Sequence, residues 1–142
     1  MADNKAFDKD RLAQFLAEEF PQVADQFSVL EAKPMEVLVA LDADTSHLRP
    51  GGTISGPSMF SLADVGIYLA IHATIGHVPL AVTTNCAIDF MRKPAPGRLL
   101  CRARLWKLGR VLAVGEAHLF SDGAENTPVA RAQLTYSVPP NR

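Results

Sequence analysis

The chain has 142 residues, with 14 Lys and Arg against 15 Asp and Glu and a formal net charge of −1 at pH 7. That length suits one hydrophobic core rather than two, and the cancelling charge offers no broad attraction for a phosphate backbone, so a nucleic-acid partner is not expected. Hydrophobic residues make up 48% of the chain and no repeat or Gly/Ser run interrupts them, as in a globular protein.

The opening stretch MADNKAFDKD is polar and lacks the apolar core of a secretory signal, so a cytoplasmic protein without a membrane partner is the expectation. From Asp8 to Phe20 the residues Leu12, Phe15, Leu16 and Phe20 recur at helical spacing, with Asp8 as the cap and Pro21 closing the pattern. An N-terminal helical extension over residues 1–24 follows, ahead of a main domain over 25–142. FSVLEA and MEVLVALD then read as two strands of a hairpin turning at Lys33 and Pro34.

The loop ADTSHLRPGG leads into a strongly apolar helix, with Ser55 or Gly56 as its cap, Pro57 in its first turn and Gly76 at its end. After it the period changes to two. AVTTNCAIDFM, GRLLCRARLWKLG, RVLAVGEAHLFSD and PVARAQLTYSV are four strand candidates separated by turn-forming residues. In the second of these, Arg102, Arg104 and Trp106 share one face while Leu99, Cys101, Ala103 and Leu105 share the other, which predicts an antiparallel sheet with one face in water. Cys86 and Cys101 fall inside apolar runs without CxxC spacing and read as buried thiols.

The sheet's apolar face needs a cover, and only the helix beginning at Ser55 is apolar enough to supply it. The predicted fold class is therefore α+β, a long central helix wrapped by an antiparallel sheet with an N-terminal helix added. Because this helix is apolar nearly all round, the sheet covers only part of it and a second subunit is the expected cover for the rest. Asp64 stands out within it, flanked by Leu62, Ala63, Val65 and Ile67 with no Lys or Arg nearby. A structural role would have Asp64 hydrogen-bond Ser61 or Tyr68 on its own helix.

The stretch SGPSMFSLAD, with TTNCAIDFMRKPAPGRLLCRARLWKLGRVLAVGEAHLFSDG, resembles the hotdog-fold acyl-CoA thioesterases of the phenylacetate-degradation and 4-hydroxybenzoyl-CoA thioesterase group. The likeness runs from about Val37 to Val138. It implies that the N–H of Gly56 polarises a thioester carbonyl, that Asp64 is the acidic catalytic residue, and that Thr84 stands where relatives place a Ser or Thr facing the site. It also implies a hotdog fold, an acyl-CoA substrate with a medium-chain or aryl group, a homodimer or a tetramer of two dimers, and no cofactor. The chain departs from the family pattern at Ser55 in place of histidine, Pro57 in place of glycine, and Arg49 in place of asparagine. Those departures are what a non-catalytic acyl-CoA or lipid-binding dimer would show.

A helix N-terminus presents unpaired N–H groups and a positive dipole end to a developing oxyanion, and a carboxylate attacks or activates water. Eight residues at about 1.5 Å each separate Gly56 from Asp64 by about 12 Å along one helix, too far to serve one carbonyl. Two such helices lying antiparallel across a two-fold axis would bring the Gly56 of one beside the Asp64 of the other and form two equal sites.

His47 and Arg49 in the loop before the helix, with Ser55, are candidates for tuning substrate fit, Met59 and Tyr68 for lining an acyl pocket, and Arg92 and Lys93, with Arg98, for meeting the phosphates of coenzyme A. His47, His72, His77 and His118 show no metal-ligand spacing, and no motif sets a histidine beside Ser55 for a triad. A hotdog hydratase would need a histidine and asparagine placed after the acid, which the spacing beyond Asp64 does not offer.

Overall fold

The computed structural model describes residues 6–140; residues 1–5 of the predicted extension and the last two residues of the main domain lie outside the described part. In chain order the elements are α1 (Lys9–Glu19), a 3-10 turn (Ala24–Gln26), β1 (Phe27–Lys33), β2 (Glu36–Asp42), a second 3-10 turn (Thr45–His47), α2 (Gly56–Ile75), β3 (Val82–Phe90), β4 (Arg98–Leu108), β5 (Leu112–Ser121) and β6 (Ala130–Ser137). Asp8 caps α1, its carboxylate accepting the Arg11 N–H at 2.8 Å, and Pro21 follows the last turn.

The six strands form one sheet in the order β1-β2-β4-β5-β6-β3, with antiparallel pairing throughout. β1 and β3 are its edges. α2 lies on the inner face, where Val39, Cys101, Ala103 and Ala117 are fully buried. Small residues at the centre of that face let the helix come close: a Cβ on Gly66 would stand 3.0 Å from Cys101 Sγ and 3.1 Å from Ala103 Cβ. This is the hotdog arrangement that the resemblance implied.

The tight turn of the β1–β2 hairpin puts Met35 at φ 74, a left-handed conformation uncommon for a side chain that is not glycine. α2 holds it there, because the Met35 N–H donates to Thr74 Oγ1 at 2.8 Å and that hydroxyl donates to the Ala70 carbonyl.

The outer face departs in part from the expected solvated surface. Arg102 and Arg104 do lie there, paired with Glu31, Glu36 and Glu125, and Trp106 is exposed. Leu38, Ala40, Leu100 and Phe120, however, form a second buried cluster on the same face. Of the thiols, Cys101 is buried as expected, whereas Cys86, on an edge strand, is only half-buried.

α2 is long and apolar enough to cross a membrane, yet it is largely buried as the core helix of the sheet. Its two halves are covered differently. From Gly66 to Ala73 every residue is buried, with α1 laid over Tyr68 and His72: the Phe15 ring sits 4.2 Å from His72 and 5.7 Å from Tyr68. In the first half Pro57, Phe60 and Ser61 are exposed and Asp64 and Val65 half-buried, one open stripe at helical spacing.

Candidate active site

The loop ahead of α2 is clamped by His47, whose Nδ1 accepts the Asp44 N–H at 2.9 Å while Nε2 meets Gln26 Oε1 at 3.0 Å. The His47 carbonyl in turn accepts the Ser55 N–H at 2.8 Å. His47 is thus a buried strut for the loop, and its ring nitrogens are committed.

Ser55 caps α2, its Oγ accepting the Ser58 N–H at 3.3 Å and its carbonyl the Met59 N–H at 3.1 Å. Pro57 has no N–H to offer. The N–H of Gly56, first residue of the helix, donates no hydrogen bond among the described residues and is the open donor at this terminus.

A cavity of about 380 Å³ lies against Gly56, with Arg49, Met59, Phe90, Arg92 and Lys93 in its walls. Arg92 is held there by a hydrogen bond to the Pro128 carbonyl at 2.5 Å. Three cations line a cavity at a helix N-terminus, an electrostatic setting that attracts phosphate. Arg98 is not among them, because it turns to Asp42 at 3.1 Å.

Asp64 lies in a second cavity of about 450 Å³, with Ser61, Val65 and Tyr68 from α2, Leu16 and Phe20 from the α1 side, and Thr83 and Tyr136 from the sheet. Its carboxylate is held from β3 and β6 rather than from its own helix. The Thr83 hydroxyl and the Tyr136 hydroxyl both donate to Oδ1, the latter at 2.7 Å, and the Tyr136 hydroxyl also lies 2.9 Å from the Asp64 carbonyl. Oδ2 takes no hydrogen bond among the described residues, so one oxygen is anchored and the other is available. Burial, then the Asp64 charge, push the Tyr136 hydroxyl well above the usual tyrosine range, so it stays a donor at any ordinary pH.

Neither within-helix partner considered for Asp64 is used. Ser61 makes no bond to it, and the Tyr68 hydroxyl donates to the Pro79 carbonyl at 2.8 Å. Thr84, expected to face the site, is instead exposed in this chain and its hydroxyl donates to the Thr135 carbonyl at 3.3 Å. The register of β3 against β6 slips between Thr83 and Asn85, and this irregularity turns Thr83 inward where uninterrupted alternation with Cys86 and Ile88 would have turned Thr84. Tyr136 had a signal in the sequence: Ala132, Leu134 and Tyr136 share the buried face of β6, and an interior tyrosine needs a partner for its hydroxyl.

No residue lines both cavities, which separates the Gly56 and Asp64 sites within one chain. No three His, Cys, Asp or Glu side chains converge as metal ligands among the described residues.

Residues 51–127 match the thioesterase superfamily. A crystal structure of a candidate thioesterase from Silicibacter sp. TM1040 is 54% identical, covers 94% of this chain and 93% of its own, and superposes with a TM-score of 0.86. A mutant of the phenylacetic acid degradation protein PaaI from Thermus thermophilus is 29% identical over 82% of this chain and 97% of its own, with a TM-score of 0.70. A Streptococcus mutans protein bound to acetyl-CoA shares the fold at 23% identity and a TM-score of 0.69, covering 79% of this chain and 87% of its own. None of the curated proteins matches the chain.

Proposed function

Starting from the fact that the chain belongs to the thioesterase superfamily, we propose that it hydrolyses an acyl-CoA thioester, with a medium-chain or aryl acyl group, to the free acid and coenzyme A. The observation that supports this most is Asp64, a carboxylate in the wall of a largely apolar cavity with one oxygen anchored by two hydroxyls and the other without a hydrogen bond among the described residues.

The Gly56 N–H donates to the thioester oxygen as it becomes an oxyanion, aided by the positive end of the α2 dipole. Asp64 of the partner subunit supplies the attacking oxygen, either directly or by taking the proton from a water. Thr83 and Tyr136 fix the carboxylate so that its free oxygen points at the carbonyl without reorganisation. Arg49, Arg92 and Lys93 meet the phosphates of the coenzyme, which suits the cavity they line beside Gly56. The open stripe on the first half of α2 is where the second copy of the helix packs, so the active unit is a homodimer.

Release of free thiol from short-, medium- and long-chain and aryl acyl-CoAs tests this reading. Hydrolysis by the native chain that falls about a thousandfold in Asp64→Asn, with fold and assembly intact, is the expected result. Tight binding of acyl-CoA without turnover would favour a non-catalytic binding dimer instead, the reading that the departures at Ser55, Pro57 and Arg49 favour.

A further inference from the structure

α1 contributes Leu16, and its C-terminal cap Phe20, to the wall of the cavity beside Asp64. Ser61, Asp64, Val65 and Tyr68 form one stripe along α2, so the cavity follows the helix axis. Four residues at about 1.5 Å each carry it only about 6 Å from the level of Asp64 to that of Tyr68. There the Phe20 ring meets the Tyr68 ring edge-on, with centroids 5.6 Å apart.

Phe20 is not a frayed terminal side chain. Its N–H donates to the Leu16 carbonyl at 2.8 Å, and its own carbonyl accepts the N–H groups of Val23 and Ala24 at 3.1 and 2.9 Å. Pro21 rigidifies the turn. Behind it α1 is anchored by Leu12, Phe15 and Leu16, all at most 2% exposed, and by the Phe7 N–H on the His72 carbonyl. The Tyr68 hydroxyl is committed to Pro79, so the ring that Phe20 meets is itself held in place. Phe20 nevertheless remains 36% exposed, unlike the residues that anchor α1. A large apolar ring held in the wall of a largely apolar cavity beside Tyr68, and not consumed by the core, can act as a stop.

We propose that Phe20 is a specificity-determining residue that closes the acyl cavity beside Asp64 and sets the length of acyl group it accepts. This rests on the thioesterase reading above. A short or medium unbranched chain, or a single ring, reaches from Asp64 to the Phe20–Tyr68 pair, and a longer chain must displace Phe20. Each methylene that fits changes the preference by about fourfold, the free energy of burying one CH₂.

The test is the profile of kcat/KM against acyl length for the native chain, Phe20→Ala, Phe20→Trp and, as a control on the outer face of the sheet, Trp106→Ala. Phe20→Ala should move the optimum to longer chains by at least about tenfold in relative kcat/KM, chiefly through KM, as two or more extra buried methylenes would give. Phe20→Trp should move it to shorter ones, and Trp106→Ala should leave it in place. Identical length profiles in folded, Asp64-dependent Phe20 variants would overturn the proposal while leaving the thioesterase reading intact. Should the native chain hydrolyse no acyl-CoA, that reading fails, and calorimetric binding of S-alkyl-CoA thioethers decides the role of Phe20. A length preference that shifts in Phe20→Ala sustains it, and one that does not shift refutes it.

Discussion

The two halves of α2 carry similar apolar sequence and meet different fates. The second half is sealed between the sheet and α1, with His72 fully buried among aromatic rings. The first half is packed on the sheet side only, and its opposite stripe, Pro57, Phe60, Ser61, Asp64 and Val65, stays open or half-open. The difference teaches that α1 does the job for the second half that a partner subunit is proposed to do for the first. It also explains where a carboxylate is tolerated: the lone acid of the helix stands in the open half, within reach of two hydroxyl donors and of water.

Breaking the seal should cost the most. Phe15 is 1% exposed and packs on both Tyr68 and His72, so Phe15→Ala should lower the free energy of unfolding by about 3–5 kcal/mol, read by chemical denaturation. The equivalent truncation in the open half, Phe60→Ala, should leave the unfolding of a separated protomer nearly unchanged. Equal losses at the two positions would erase the contrast between the halves.

Acid should loosen the same half more gently. Burial, with a smaller contribution from His77, lowers the His72 imidazole to about 4 from an ordinary value near 6.5. The unfolded chain therefore binds this proton more readily than the folded one. The stability at stake is fully present above pH 6.5 and is lost as pH falls toward 4, up to about 3 kcal/mol. His72→Leu should flatten that limb of the stability curve, and an unchanged acid limb would show that other groups cause it. The smallest effect belongs to the helix that makes the seal: Asp8→Ala removes the α1 cap and should cost about 1 kcal/mol, read as a modest fall in the unfolding midpoint.

The sequence showed the fold where period and punctuation agreed. Asp8 and Pro21 bound α1, Ser55 and Gly76 bound α2, and the alternation of Leu99, Cys101, Ala103 and Leu105 marked the inner face of β4. Where the alternation breaks, the reading failed. The irregularity at Thr83 and Asn85 turns Thr83, rather than its neighbour Thr84, toward Asp64, and only three-dimensional pairing reveals which one turns inward. The outer face misled in a different way, because the second cluster unites Leu38, Leu100 and Phe120 from three strands and no single strand displays it. Asp64 was legible as an anomaly. Its anchor Tyr136 lies 72 residues away and becomes a neighbour only through the position of β6 in the sheet.

The composite site is the central claim, and subunit mixing tests it most directly. Gly56→Pro removes the open N–H at a helix start, where the extended Ser55 backbone, φ −73 and ψ 155, suits a following proline. Asp64→Asn removes the acid. Each variant alone should be nearly inactive. If every site takes Gly56 from one protomer and Asp64 from the other, unfolding and refolding the two variants together should restore about a quarter of native activity, because half the dimers are mixed and each carries one intact site. No recovery, with mixed dimers shown to form, would contradict the account and place both groups of each site on a single chain.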